Sequence, residues 1–598
     1  PNFGLLRGVM NSFSNFGKYF TYKDDVSRTI SWGHWFTFLN IFLTILLGSA
    51  YILYSPNTDY TSLGNFYLII SWFGHFSCLT FLLYMLLLFP FSFIGSLRFY
   101  RIFAVTMAVI LLAIMLVDIK IYQQIKIHLS LSVLELFFEQ EGFSTGINFN
   151  FLYIAIPVLI LIECYFSHLA WKHIYIHNYK KTTNAFVAVF LLCFLSTHVL
   201  NIWASAYKYT PITAQKTLFP AYYPMTANTF LAEHGWIIAE KSNHKAKFRP
   251  AHYPLENIEI ETVDNYRNVL LILVNGLTYD TAFKLGKEAM PELNGYAENN
   301  MMFTNHYLGV NDFREASFEL SYGLPAQYQS SIETSRYVPV IISEMRLQDY
   351  KIHAYLSNKD QIISKGQVSS IMGLRSNATS IYKTDNETVQ AAVRAINKWD
   401  ERHQFSVVSL NDLYDGGSCA AYMAEVSHSA EIKAKYEKCL NNTDKHISML
   451  RNAVQDAGMS DNTIIIITSA KARSENAYFR HNYHAPLIMH WPEVTSPSRI
   501  DMLTGTQDIA PTIAREVLGI TNSPETFSNG INLRRMQPRL WILSGTDREF
   551  QIISETQTTI YDRQGNASIY ADTPGANQQP NMTTLIKAMK LLNKFTEN

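Results

Sequence analysis

Four polar side chains in the second half of the chain could share a reaction centre: His306, Asp312, His481 and His484, the last two inside Arg480-His-Asn-Tyr-His484. Imidazoles with a carboxylate are the donor set of a divalent-metal site or a general acid–base pair. Structural or surface histidines beside a strand are the plainer account and the preferred one. Cys419 and Cys439 lie in the same half and could pair if it faces an oxidising compartment; two buried free thiols are the alternative. The other three cysteines, Cys78, Cys164 and Cys193, lie in apolar runs, where a thiol acts as a small hydrophobe. Anion binding is offered by Tyr209-Thr-Pro-Ile-Thr-Ala-Gln-Lys216. A proline break just outside an apolar segment exposes backbone amides, and Lys216 adds a positive charge at headgroup depth. On chemistry alone a stiff spacer with a snorkelling lysine is favoured there.

The elements that would hold these residues fall into two kinds. Five apolar runs have bilayer-spanning length: Trp32–Tyr54, Phe66–Pro90, Tyr100–Tyr122, Phe151–Trp171 and Ala185–Ala206. Arg7, Lys18, Lys23 and Arg28 precede the first, Arg98 and Arg101 separate the second and third, and Lys172, Lys180 and Lys181 separate the fourth and fifth. The alternate loops hold only Lys120 and Lys126, so the N-terminus is expected in the cytoplasm and everything after Ala206 on the far side. The opening residues show no signal-peptide pattern, since the first apolar run is too long and lacks a cleavage site. Ile125–Gln140 suits a segment lying on the outer interface. His34, His75, Asp118, Glu163 and His198 lie in or near spans; hydrogen bonding between helices is the preferred reading over function.

Beyond the spans the sequence is that of an ordinary globular protein. Lys plus Arg and Asp plus Glu both number 49, so no basic excess points to nucleic acid. Asn268-Val-Leu-Leu-Ile-Leu-Val-Asn-Gly-Leu-Thr-Tyr-Asp280 opens with a fully buried parallel strand that should deliver Asn275 to the ligand edge of a sheet. Tyr350–Ser357, Gln404–Leu410 and Thr463–Ser469 read as further strands, with helices at Val389–Trp399 and Ile432–Asp456. A hairpin around Gln551–Tyr570, turning at Gln564-Gly565-Asn566, and a helix at Thr583–Phe595 close the chain. The expected divisions are residues 1–206 (membrane), 207–257 (connector), 258–521 (α/β core) and 522–598 (C-terminal part).

The strand Asn268–Leu277 resembles the first strand of the sulfatase and alkaline-phosphatase superfamily. With Trp32-Gly-His-Trp35, Gly74-His-Phe-Ser77, Pro211-Ile-Thr213, Gln215-Lys216 and Tyr223-Pro-Met-Thr-Ala227, it gives the chain, from about residue 28 onward, a resemblance to the YejM (PbgA) family. That resemblance implies an α-helical bundle of five spans followed by an α/β alkaline-phosphatase/sulfatase-like domain with a mainly parallel central sheet. It further implies an inner-membrane location, a periplasmic C-terminal domain, and lipid A binding along the segment here occupied by Thr210, Pro211, Ile212, Thr213, Gln215 and Lys216. Family members usually carry arginine at the place of Lys216 and a basic residue at that of Thr210.

Superfamily catalysis needs a metal-binding aspartate at the end of the first strand, a Ser, Thr or Cys-derived nucleophile at a helix entrance, and an Asp-His pair after a later strand. The matching positions here are Asn275, then Asp312 or Phe313, then Ala470 and Lys471, with His481 alongside. Ser317 lies too far along its helix to substitute easily. An amide is a weaker ligand than a carboxylate, and an ammonium stands where a cation should bind. The expectation is therefore a pseudo-enzyme without cofactor or divalent metal. The family implies a regulator of lipopolysaccharide synthesis that senses lipid A and acts through the adaptor LapB, and the protease FtsH, on the stability of LpxC. Anionic phospholipid is a further expected ligand. The alternatives are a phosphoethanolamine or glycerol-phosphate transferase or phosphatase, and cardiolipin transport.

Overall fold

The computed structural model describes residues 3–55, 61–94, 96–130, 134, 149–173, 180–207, 209–227, 230–231, 251–263, 266–285, 287–357, 369–399, 403–414, 419, 430–472, 480–494, 496–535, 537–546, 549–562, 566–572 and 582–596. Contacts divide the chain into two compact units, residues 1–249 with 563–565, and residues 250–562 with 566–598.

In the first unit, five helices are long and apolar enough to cross a membrane: Lys23–Leu53, Ser62–Ile94, Leu97–Gln124, Leu152–His173 and Asn184–Ala206. They coincide with the apolar runs, but the first belongs to a 51-residue helix that begins at Phe3. Hydropathy marks only the part of a helix that lipid can cover, and residues 3–22, interrupted by Arg7, Asn11, Asn15 and Lys18, carry no such signal. Small residues let the spans approach closely. At Gly74 a Cβ would stand 2.6 Å from the backbone nitrogen of Phe194 on the fifth span.

Several buried polar residues of the bundle are paired, as a medium without water favours. Asn40 donates to Glu163 at 3.0 Å. Asp118 accepts from Tyr51 at 2.6 Å and from His128 Nδ1 at 2.9 Å. The third span ends at Ile125, and Ile127 and His128 turn back into the bundle and are buried. Most of the expected interfacial segment Ile125–Gln140 lies outside the described residues.

The second unit contains an eight-stranded sheet of order β4-β3-β5-β1-β6-β7-β2-β8. Its strands are β1 (Asn268–Val274), β2 (Met301–Tyr307), β3 (Lys351–Ser357), β4 (Thr379–Tyr382), β5 (Gln404–Leu410), β6 (Thr463–Thr468), β7 (His484–His490) and β8 (Ser498–Gly505). Only β7 runs against the rest, so seven strands end at one edge, where β7 begins. The central strands β1, β5 and β6 are buried along their whole length, which is why they read as unbroken apolar runs.

Helices lie on the faces of this sheet, among them Phe313–Tyr322, Asp385–Ile396 and Ala430–Asp456. The second of these starts before the expected Val389, because Thr384 accepts from the Glu387 amide at 3.2 Å and caps a first turn carrying Asp385 and Glu387. The expected hairpin is part of a four-stranded antiparallel sheet, β12-β11-β10-β9, made by β9 (Trp541–Gly545), β10 (Glu549–Ser554), β11 (Gln557–Asp562) and β12 (Ala567–Ala571). Residues 564 and 565 of its turn lie outside the described residues. The last helix is Met582–Asn593.

Candidate functional site

At the shared strand edge the chain leaves β1 through Asn275 and Gly276. Gly276 has φ +84°, and a Cβ there would lie 2.3 Å from the Leu413 carbonyl oxygen, so glycine is required. Asn275 is fully buried and its amide is spent on neighbours. Its Nδ2 donates to Ser409 Oγ at 3.0 Å and to Asn411 Oδ1 at 2.7 Å. Its Oδ1 accepts from the backbone amides of Ala470 at 3.2 Å and Lys471 at 3.1 Å.

The seam continues outward. Asn411 donates to the Ser357 carbonyl, and Asp385 accepts from the backbone amides of Asn411 at 2.9 Å and Asp412 at 3.0 Å. The ends of β3, β5, β1 and β6 are thus stitched side by side. Burial, reinforced by the neighbouring Asp412, lifts the Asp385 carboxyl to about 6.

Lys471 is buried, with its ammonium 3.6 Å from the centre of the Tyr414 ring, a cation–π contact. Ala470 beside it is buried and offers no ligand atom. Asp312 caps the helix Phe313–Tyr322, accepting from the amides of Arg314 at 2.8 Å and Glu315 at 3.4 Å. Phe313 is half-buried against the core.

The four residues that could have rebuilt a site are not brought together as one donor set. His306 is fully buried, pairs through Nδ1 with Thr504 Oγ1 at 3.1 Å, and is pushed down to about 3 chiefly by burial. His484 donates from Nε2 to the Thr304 carbonyl at 2.6 Å and is stacked between Tyr279 and Tyr307, with burial lowering its pKa. His481 is exposed. Among the described residues no group of three or more His, Cys, Asp or Glu could hold a metal ion.

The divalent cations that the superfamily implies do not fit these residues. The Asn275 oxygen is turned to two N–H donors, Asp312 is engaged by its own helix, and Lys471 already supplies a positive charge. Two features escaped sequence reasoning. Arg480, adjacent to His481, is buried over the Tyr307 ring and bonds Asp572 at 2.9 Å and Thr558 at 2.8 Å, clamping β11 and the end of β12. Glu319 is fully buried, accepts from Ser544 and Gln507, and is pushed up to about 8 by burial. Neither carries a spacing signal; both are isolated charges whose partners come from distant sequence.

In the first unit, the segment 209–227 folds back on the bundle. Thr210–Thr213 and Ala214–Thr217 are short helical turns. The Tyr209 and Thr61 hydroxyls pair at 2.7 Å, as do those of Tyr67 and Tyr222. Gln215 donates to the Gly64 carbonyl at 2.9 Å, His75 Nε2 to the Pro220 carbonyl at 2.9 Å, and Met225 N–H to His198 Nδ1 at 3.0 Å. The six expected lipid-binding residues are therefore divided. Pro211, Ile212 and Gln215 are buried against the spans, Thr213 is half-buried, Lys216 is exposed, and the Thr210 side chain lies outside the described residues. Cys419 and Cys439 are joined by a disulfide, with Cα atoms 6.2 Å apart.

Residues 18–260 match the family described as Domain of unknown function (DUF3413), and residues 267–520 match the Sulfatase family. The inner membrane protein YejM of Salmonella typhimurium is 28% identical, over 96% of this chain and 99% of its own. An uncharacterised protein of Haemophilus influenzae is 29% identical, over 96% of this chain and 98% of its own. Among solved structures, an alkaline phosphatase superfamily protein from Vibrio parahaemolyticus aligns with a TM-score of 0.47 at 14% identity, covering 59% of this chain and 92% of that one. Five spans followed by a sulfatase-family α/β domain define a multi-pass inner-membrane protein of the sulfatase superfamily. Within that class the chain is similar over nearly its whole length to proteins named inner membrane protein YejM.

Proposed function

We propose that the protein is a non-catalytic regulator of lipopolysaccharide synthesis that senses lipid A in the periplasmic leaflet of the inner membrane. The observation that carries the reading is the segment 209–227, bonded to residues of the second and fifth spans with Lys216 left exposed. A lysine at that depth attracts the phosphates of a lipid headgroup, although it lacks the two-pronged geometry of arginine. Support for the missing chemistry comes from Asn275 and Lys471, whose polar atoms are committed to hydrogen bonds or a ring where metal would be needed, and from Asp312, an exposed helix cap standing where a nucleophile would be needed. The disulfide supports a periplasmic second unit, since such bonds persist in oxidising compartments. It agrees with the sequence distribution of Lys and Arg about the spans. Regulation runs, in this reading, through the spans to a LapB-like adaptor that, with FtsH, controls LpxC stability.

The test is lipid A binding to the purified full-length protein. Lys216→Glu reverses the charge and is expected to lower affinity at least tenfold. Unchanged affinity removes Lys216 as the anchor. Phosphatase or transferase turnover that depends on added divalent cation would overturn the non-catalytic part.

A further inference from the structure

A cavity of about 240 Å3 lies inside the membrane unit, between the first three spans. It runs along the first span from Phe36 to Tyr51 and along the third from Met107 to Asp118. At 1.5 Å per residue these stretches are about 22 and 16 Å long. So small a volume over such a length is a narrow slot, and a further helix, about 10 Å across, does not fit it.

Most of its polar lining is engaged, the buried Tyr84 hydroxyl being an exception. The Thr44 and Thr80 hydroxyls pair at 2.8 Å, Asn40 donates to the Phe36 carbonyl at 3.1 Å as well as to Glu163, and Asp118 is held by Tyr51, His128 and the Leu129 amide. Water needs two to four polar partners and finds few there. The remaining wall is dominated by aliphatic and aromatic side chains such as Leu79, Leu111 and Leu112.

Ile114 lines the slot and is 48% exposed, so the slot reaches the outer surface of the bundle, where acyl chains are the solvent in a bilayer. An apolar cavity of about 150 Å3 takes the six carbons of benzene, which scales here to about ten methylene carbons. The slot is as long as one leaflet of hydrocarbon is thick, about 15 Å. One end is marked by Tyr51, Asp118, Leu129 and Pro220, whose carbonyl His75 holds.

We propose that this slot binds one acyl chain of a bilayer glycerophospholipid, laid along the spans with its ester end towards Tyr51, Asp118 and Pro220. It is a second lipid position, within the bundle, and does not rest on the lipid A reading of Lys216. The lipid would act as a filler between the first and third spans, so its presence would set how closely those helices pack.

Two measurements on the full-length protein test this. Native mass spectrometry after gentle detergent extraction is expected to show one retained glycerophospholipid per chain. Ala108→Trp, which fills the slot, should reduce that retention at least fivefold, while Lys216→Glu should leave it unchanged. A wild-type chain without phospholipid, a retained lipid A in its place, or equal retention by Ala108→Trp would overturn the proposal. Because the tryptophan could disturb folding, the second measurement uses the wild-type chain in nanodiscs containing phosphatidylethanolamine with a diazirine on its acyl chain. Adducts are expected on Leu112, which is 3% exposed and out of reach of surrounding lipid. Adducts confined to outward residues such as Leu161 and Leu191 would overturn it independently.

Discussion

At the scale of single residues, the strand edge is held by an amide, Asn275, whose polar atoms all face neighbouring strands and loops. Asn275 uses both amide hydrogens and its oxygen, a combination of donor and acceptor that aspartate cannot reproduce. Asn275→Asp places a carboxylate oxygen against the Asn411 Oδ1 that now accepts a hydrogen bond. The substitution is expected to destabilise the second unit by roughly 1–3 kcal/mol. Thermal unfolding of the full-length protein measures this, and elemental analysis should find no gain of divalent metal. Glu319 makes a pH prediction. Its folded pKa of about 8 lies above the ordinary 4.5, so its contribution is fully present below about pH 4.5 and is lost as pH rises through 8. The melting temperature should therefore fall between pH 6 and pH 9 in the wild type, and fall less steeply in Glu319→Gln, which keeps the contact without the charge.

At the scale of elements, the disulfide joins the residue at 419 to the long helix Ala430–Asp456 at Cys439. Replacing both cysteines with serine is expected to cost about 3 kcal/mol, read as a lower unfolding midpoint in denaturant. The elements were legible wherever one physical signal dominated. The strand Thr463-Ile-Ile-Ile-Ile-Thr468 could only be a buried strand, and the spans announced themselves by length and apolarity. The three-stranded run β10–β12 was legible as a hairpin, but its pairing with Trp541–Gly545 depends on contacts that alternation alone cannot assign. The placement of Asn275, Ala470 and Lys471 at the sheet edge was also readable, because each follows a strand of unmistakable pattern. Their bonding was not readable. Ser409, Asn411 and Asp385 reach the seam only because β5 lies beside β1, an order set by crossovers and not by chain sequence. For the same reason Gln215 and Ile212 read as ligand contacts, whereas folding turns them onto the second and fifth spans.

At the scale of the whole molecule, two units with separate cores imply separable roles. Ending the chain after Asn257 should preserve co-purification of the membrane unit with the LapB-like adaptor of the proposed function, if the spans carry that contact. Complete loss would assign the contact to the second unit. The connector segment adds a consequence of another kind. Several of its attachments use main-chain atoms: the carbonyl of Pro220, the N–H of Met225, and its carbonyl, which receives Asn201 at 3.0 Å. Attachment through the main chain is indifferent to which side chains project outward. The outward positions around Lys216 can therefore be substituted without loosening the segment from the helices beneath it, so the surface this segment presents is free to change while its seat is kept.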